Sequence, residues 1–200
     1  GGDLNNQIAV SSYLMNEFSI PFIGLYGACS TAILSLINGS VYIDSGYNNY
    51  VACMTSSHNA TSERQFRYPT EYGVQRTPTV TSTVTGAGVG IITNNKMDIR
   101  ITKATIGEVI SAGLKDASDM GRTMAPAAAM TLKQHFEDFN VDASCYDLII
   151  TGDLSLYGSK VFVDILKELE KPARDPREDM PKPILRSDVL EMKDLTPGMV

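Results

Sequence analysis

Residues 21–31 read Pro21-Phe22-Ile23-Gly24-Leu25-Tyr26-Gly27-Ala28-Cys29-Ser30-Thr31. The run from Pro21 to Tyr26 is short, apolar and preceded by no break but the proline, which is the pattern of a buried strand. Small residues follow, and past them Ala32, Ile33, Leu36, Ile37 and Val41 keep helical spacing. Gly46 stands where such a helix would stop. Tyr50-Val51-Ala52-Cys53-Met54-Thr55 is apolar again and reads as the next strand. Strand, helix and strand in that order predict an α/β fold.

The pattern continues on both sides. Residues 6–18 read as a helix or its end. Residues 87–93 and 97–110 alternate like strands, with Asn94-Asn95-Lys96 as a hairpin signal between them. Residues 122–139 read as a helix whose apolar positions include Met130, Leu132, His135, Phe136 and Phe139, with Pro126 near its first turn. Residues 146–152 predict a strand and 158–170 a helix, striped by Val161, Phe162, Ile165, Leu166 and Leu169. Past Leu169 charged residues crowd together and Pro recurs at 172, 176, 181 and 183, which predicts an extended tail or linker. Residues 56–83 have no clean period and are rich in polar and aromatic groups. A long irregular segment of that kind in a compact domain is commonly functional.

Composition narrows the function. The chain has 200 residues, 43% of them hydrophobic, which is enough to bury a core. Its net charge of −6 argues against a protein that grips the nucleic-acid backbone. Three cysteines are too few for a disulfide framework and point to a reducing compartment. No apolar run reaches the ~18 residues of a membrane span. The opening Gly-Gly-Asp-Leu-Asn-Asn has no signal-peptide pattern and no initiator Met, so the chain is expected to start inside a longer protein.

Cys29 is the sharpest chemical signal. At a strand-to-helix turn, small neighbours admit a ligand, and free N–H groups at the helix start favour a thiolate nucleophile. The other reading is a small buried cysteine at a tight turn. Cys53 and Cys145 fall in or beside predicted strands and read as core. No Cys-x-x-Cys pair exists and the two histidines are far apart, so no zinc signature is present. No acidic run has calcium-loop spacing, and no metal or cofactor is expected. His58, after a strand, reads as a general base, a ligand donor or a loop organiser. His135, on a helix, reads as structural. Arg64, Arg67 and Arg76 either clamp a carboxylate or pair with Glu63 and Glu71. Gly86, Gly88 and Gly90 do not make a phosphate loop, because no Lys-Ser/Thr follows and the next element is a strand.

Two sets of residues carry a resemblance. Leu25–Thr31 and the glycine-rich Thr85–Ile91 resemble the thiolase-like superfamily of thiolases and ketoacyl-ACP synthases. The stretch Thr55-Ser56-Ser57-His58-Asn59-Ala60-Thr61-Ser62-Glu63-Arg64-Gln65-Phe66-Arg67-Tyr68-Pro69-Thr70-Glu71-Tyr72-Gly73 resembles the stage V sporulation protein AD (SpoVAD) family, as do Met124–Ala128 and Asp147–Leu154.

The resemblance implies a layered α/β/α thiolase-like fold, incomplete at both ends. Residues 1–95 would be the rest of its N-terminal half, 96–169 the start of its C-terminal half, and 170–200 a charged tail. It implies a protein that binds dipicolinic acid, alone or as its calcium chelate, for uptake into the developing bacterial spore. Other SpoVA proteins would be its partners, at the spore inner membrane of a sporulating bacterium. An intact relative would be a homodimer. A planar pyridine with two carboxylates needs cationic or N–H donors and an apolar slot. Cys29, Ser57, His58, Asn59, Arg64 and Arg67 are the residues expected to supply them. The alternative function is an acyltransferase of the ketoacyl synthase type with Cys29 as nucleophile. A synthase of that type needs a His after a strand like 147–151. Here Gly152-Asp153-Leu154-Ser155 stands there, and an Asp cannot replace an imidazole donor to an oxyanion.

Overall fold

The structure is a computed structural model that describes residues 5–62, 78–116, 118–169 and 189–190. The chain divides into two compact units. The first holds Gly1–Gly73, Ser82–Ile101 and Asp194–Val200, the second Val74–Thr81 and Thr102–Lys193.

In the first unit, helix α1 (Asn5–Met15) is followed by irregular chain up to a 3-10 turn at Ala28–Ser30. Helix α2 (Thr31–Asp44) follows directly and ends as its sequence predicts, at Gly46, whose φ is +72° and whose N–H reaches the Ile43 carbonyl. Strands β1 (Tyr50–Ser57) and β2 (Gly86–Thr93) pair antiparallel, from Tyr50 opposite Thr93 to Ser57 opposite Gly86. Helix α2 lies directly on this pair. A Cβ added to Gly39 would stand 2.4 Å from the Cys53 sulfur, with Ile92 and Val51 next nearest. The buried Cys53 thiol bonds to the Ser35 carbonyl, and Asn94 Nδ2 donates to the Ile43 carbonyl at the other end of the helix.

The second unit is built on helices α3 (Met120–Phe139) and α4 (Ser155–Leu169). Asp119 caps α3. Its fully buried carboxylate accepts from the Arg122 amide at 3.2 Å and pairs with the Arg122 guanidinium. Asn140, left-handed at φ +49°, closes the other end. Gly121, Ala125, Ala129 and Leu132 are buried at helical spacing. The backbones of α3 and α4 meet at two glycines. A Cβ on Gly158 would lie 2.4 Å from the Gly121 carbonyl carbon, and one on Gly121 only 1.8 Å from the Leu154 carbonyl oxygen. His135 is also buried here, as its helical setting predicts. Thr105 Oγ1 lies 2.8 Å from its Nδ1 and Tyr146 Oη 3.2 Å from its Nε2, with the Phe139 ring centre 4.8 Å away. A two-residue strand β3 (Ala104–Thr105) pairs antiparallel with β4 (Val189–Leu190), which lies within the stretch expected as a tail. Asp142 caps a further 3-10 turn, and the Ser144 hydroxyl and amide hold its carboxyl below the usual range.

Five expectations need correction. Residues 21–26 and 146–152 do not form the predicted strands, and 97–110 does so only at Ala104–Thr105, with a single bridge at Glu108. A strand exists only by lateral pairing, and among the described residues 21–26 and 146–152 belong to no ladder. Several of their apolar side chains stay in water instead, Leu148 at 71% exposure and Ile150 at 62%. The hairpin expected about Asn94–Lys96 is absent for the same reason, because β2 pairs back to β1. Pro126 sits inside α3, not in its first turn, since the Asp119 cap starts the helix at Met120. The helix therefore forgoes the hydrogen bond that a residue 126 N–H would give to the Arg122 carbonyl.

Candidate functional site

The turn before α2 is knitted by its own backbone and two hydroxyls. The Gly27 N–H donates to Thr31 Oγ1 at 2.9 Å, and that hydroxyl donates on to the Ala28 carbonyl at 2.8 Å. Thr31 is completely buried. Ser30 donates to the Gly27 carbonyl through both its amide and its hydroxyl. A Cβ on Gly27 would come within 2.7 Å of Ser30 Oγ and 3.2 Å of Leu34 Cδ2, so these side chains would have to shift to admit one. Ala28 takes a left-handed φ of +49°. That conformation costs an L-residue roughly 1–2 kcal/mol. Strain of this kind recurs where a side chain must be presented. Cys29, the next residue, is exposed. Cys53 is not comparable, since burial pushes its thiol up from the usual value and keeps it protonated.

The second part of the site is the segment leaving β1. Ser57 Oγ donates to the Val84 carbonyl at 2.6 Å. Asn59 N–H donates to Thr85 Oγ1 and Asn59 Nδ2 to the Thr83 carbonyl, at 3.0 and 2.9 Å. These bonds fasten residues 57–59 to 83–85, so the Ser57 hydroxyl and the Asn59 amide hold the loop. His58 begins a 3-10 turn at Asn59–Thr61, and its Nδ1 accepts the Ala60 N–H at 3.2 Å. An accepting Nδ1 carries no proton, so the neutral ring presents Nε2–H as a donor. His58 is exposed.

Both parts lie at one end of the first unit. The α2 start and the β1 finish run the same way from the Cys53–Ser35 contact. Cys29 lies six residues beyond Ser35, ~9 Å at helical rise. Ser57 lies four residues beyond Cys53, ~13 Å along a strand. Of the residues singled out in the sequence, Cys29, Ser57, His58 and Asn59 thus share this end. Arg64, Arg67 and Arg76 lie outside the described residues. The partners that sequence reading missed are Thr31, Thr83, Val84 and Thr85. Thr31 was legible as the hydroxyl two places after Cys29, and Thr85 as the start of the glycine-rich stretch, whereas Thr83 and Val84 carry no motif.

The arrangement offers a thiol and an imidazole N–H, with no metal cluster among the described residues. No helix of the described residues is long and apolar enough to cross a membrane. The chain is 51% identical over 178 residues to stage V sporulation protein AD of Bacillus subtilis (strain 168). That match takes in 89% of this chain and 53% of the relative, so the chain spans about half the relative's length. It is also 48% identical to the uncharacterized protein YdcI of the same strain, over 42 residues, 21% of this chain and 6% of that protein. The family model for stage V sporulation protein AD matches residues 1–189. With that match over nearly its whole length, the chain belongs to the stage V sporulation protein AD (SpoVAD) family of sporulation proteins.

Proposed function

We propose that this end of the first unit binds dipicolinate, free or as its calcium chelate, in the loading of a developing spore. The observation that carries the reading is the joint placement of the Cys29 turn and the His58 loop in a chain of this family. Dipicolinate has two carboxylates on a flat ring. The His58 Nε2–H is a donor suited to a carboxylate oxygen. Arg64 and Arg67 follow the His58 loop in sequence and would add positive charge. Calcium would arrive held by the ligand. Association with the spore inner membrane would go through partner SpoVA proteins, and a homodimer is part of the same proposal.

Calorimetric titration of dipicolinate, with and without calcium, tests it. Saturable binding that His58→Ala and Cys29→Ser weaken is the expected result. A flat titration with folded protein sinks the reading.

A second reading rests on the strained Ala28 turn, which presents an exposed thiol. Cys29 would then take an acyl group from a thioester. Its sulfur would attack the carbonyl carbon and the donor thiol would leave with a proton. Peptide mapping after incubation with an acyl-CoA decides: an adduct confined to Cys29 supports transfer, and its absence leaves binding alone.

A further inference from the structure

Asn38 and Gly39 are the one Asn-Gly pair in the chain. They lie inside α2, whose sequence makes a weak helix by itself. Glycine is a poor helix former, and Ser35, Asn38 and Ser40 each turn a side chain back onto a helix carbonyl, of Ala32, Leu34 and Leu36. A helix of this kind stands mainly by its packing. The glycine serves that packing. Its Cα comes so close to the sheet that a Cβ would stand 2.4 Å from Cys53 Sγ and 3.0 Å from Ile92 Cδ1.

The same pair carries a chemical hazard. With no Cβ beside it, a glycine nitrogen has open access to the side-chain amide of a preceding asparagine once the backbone is free to turn. Two features of α2 hold this reaction off. Asn38 Nδ2 donates to the Leu34 carbonyl at 2.8 Å, which keeps the amide back toward the helix start. The Gly39 N–H, in the helix interior, is turned to the Ser35 carbonyl, which also accepts the Cys53 thiol at 3.1 Å.

We propose that Asn38–Gly39 is a latent modification site, closed while α2 is packed on β1 and open when the helix comes off. In the opened chain the Gly39 nitrogen attacks Asn38 Cγ. The new N–C bond closes a succinimide, the Cγ–Nδ2 bond breaks, and ammonia leaves with the proton from the Gly39 nitrogen. Water opens the ring at either carbonyl, giving aspartate or isoaspartate. Isoaspartate carries the main chain through the former side chain and lengthens it by a methylene. The peptide groups on either side then lose helical register at the residue that rests on Cys53. Helix α2 does not close again, and the Thr31 hydroxyl that braces the Cys29 turn is lost with it. A reversible opening becomes an irreversible one.

The test follows Asn38 in the full chain, held folded or unfolded in guanidinium chloride at the same mildly alkaline pH. Peptide mass spectrometry reads the conversion of amide to acid, and an isoaspartyl methyltransferase reads the isoaspartate. In the unfolded chain Asn38 should convert ahead of every other asparagine. In the folded chain its rate is scaled by the population of opened helix and should fall roughly tenfold or more. After dilution of the denaturant, chains with isoaspartate should expose Cys53 to iodoacetamide. Asn38→Asp, whose linkage is normal, should protect it. Should that variant fail to fold, or the unaged chain fail to refold, the two rates at Asn38 decide by themselves. Equal rates in the folded and unfolded chain overturn the proposal, as does conversion led by another asparagine in the unfolded chain. Isoaspartyl chains that bury Cys53 as fully as the unaged chain overturn it too.

Discussion

Cys29 and Cys53 sit at opposite extremes of exposure within one unit. Cys53 has its thiol on the Ser35 carbonyl under α2, and burial holds it protonated. Cys29 stands in water on a left-handed turn. Iodoacetamide should therefore label Cys29 in the folded chain, and Cys53 only after unfolding, as read by peptide mass spectrometry. Equal rates at the two would mean that α2 does not stay on β1. At this scale much of the site was readable. The small residues around Cys29 and the polar run after Thr55 marked both halves in the sequence. The roles within it were not readable. Ser57 and Asn59 belong to the expected ligand set, yet the Ser57 hydroxyl donates to Val84 and one Asn59 side-chain N–H to Thr83, 27 and 24 residues away. No local pattern reports a hydrogen bond of that range. His135 shows the reverse case, because a histidine amid Leu132, Phe136 and Phe139 on one helix is a core residue by position.

The elements divide by how local their causes are. Helices α2, α3 and α4 were all legible, since spacing, caps and stop residues act within a few residues of each other. The α3–α4 contact was not. Gly121 and Gly158 let the two backbones touch, and nothing in either helix announces its partner. Gly158→Ala has no space to relax into, because the nearest atoms are Gly121 backbone. It should lower stability by about 1–3 kcal/mol, the cost of overpacking. Urea unfolding followed by circular dichroism measures this, and an unchanged midpoint would show that the helices can part without cost. Strands fared worse than helices. Residues 21–26 and 146–152 have the composition of strands and lack a neighbour to pair with among the described residues.

Over the whole molecule the exposed apolar residues matter most. Leu148 and Ile150 in one unit, and Val89 and Ile91 in the other, are large side chains left in water. Burying each fully is worth about 1.5–3 kcal/mol, so a partner that covers them gains substantially. The isolated chain should bind the dye ANS and unfold with a shallow transition. Ile91→Lys should reduce the fluorescence without lowering helix content. Dye binding that the variant leaves unchanged would place the accessible apolar surface elsewhere.

The sequence alone determined the family, the α/β character, the helices and the two halves of the candidate site. These follow from local spacing and from short motifs in the chain itself. Only the tertiary structure decided which strand-like segments became strands, and that β2 pairs with β1 and not with the segment after it. It also decided that Ser57 and Asn59 brace a loop and that two glycines join α3 to α4. Helical hydrogen bonds close within four residues, so the local sequence contains their cause. Strand pairing, backbone contact and side-chain bracing join residues far apart in the chain. Their outcome depends on which partner is present to be met.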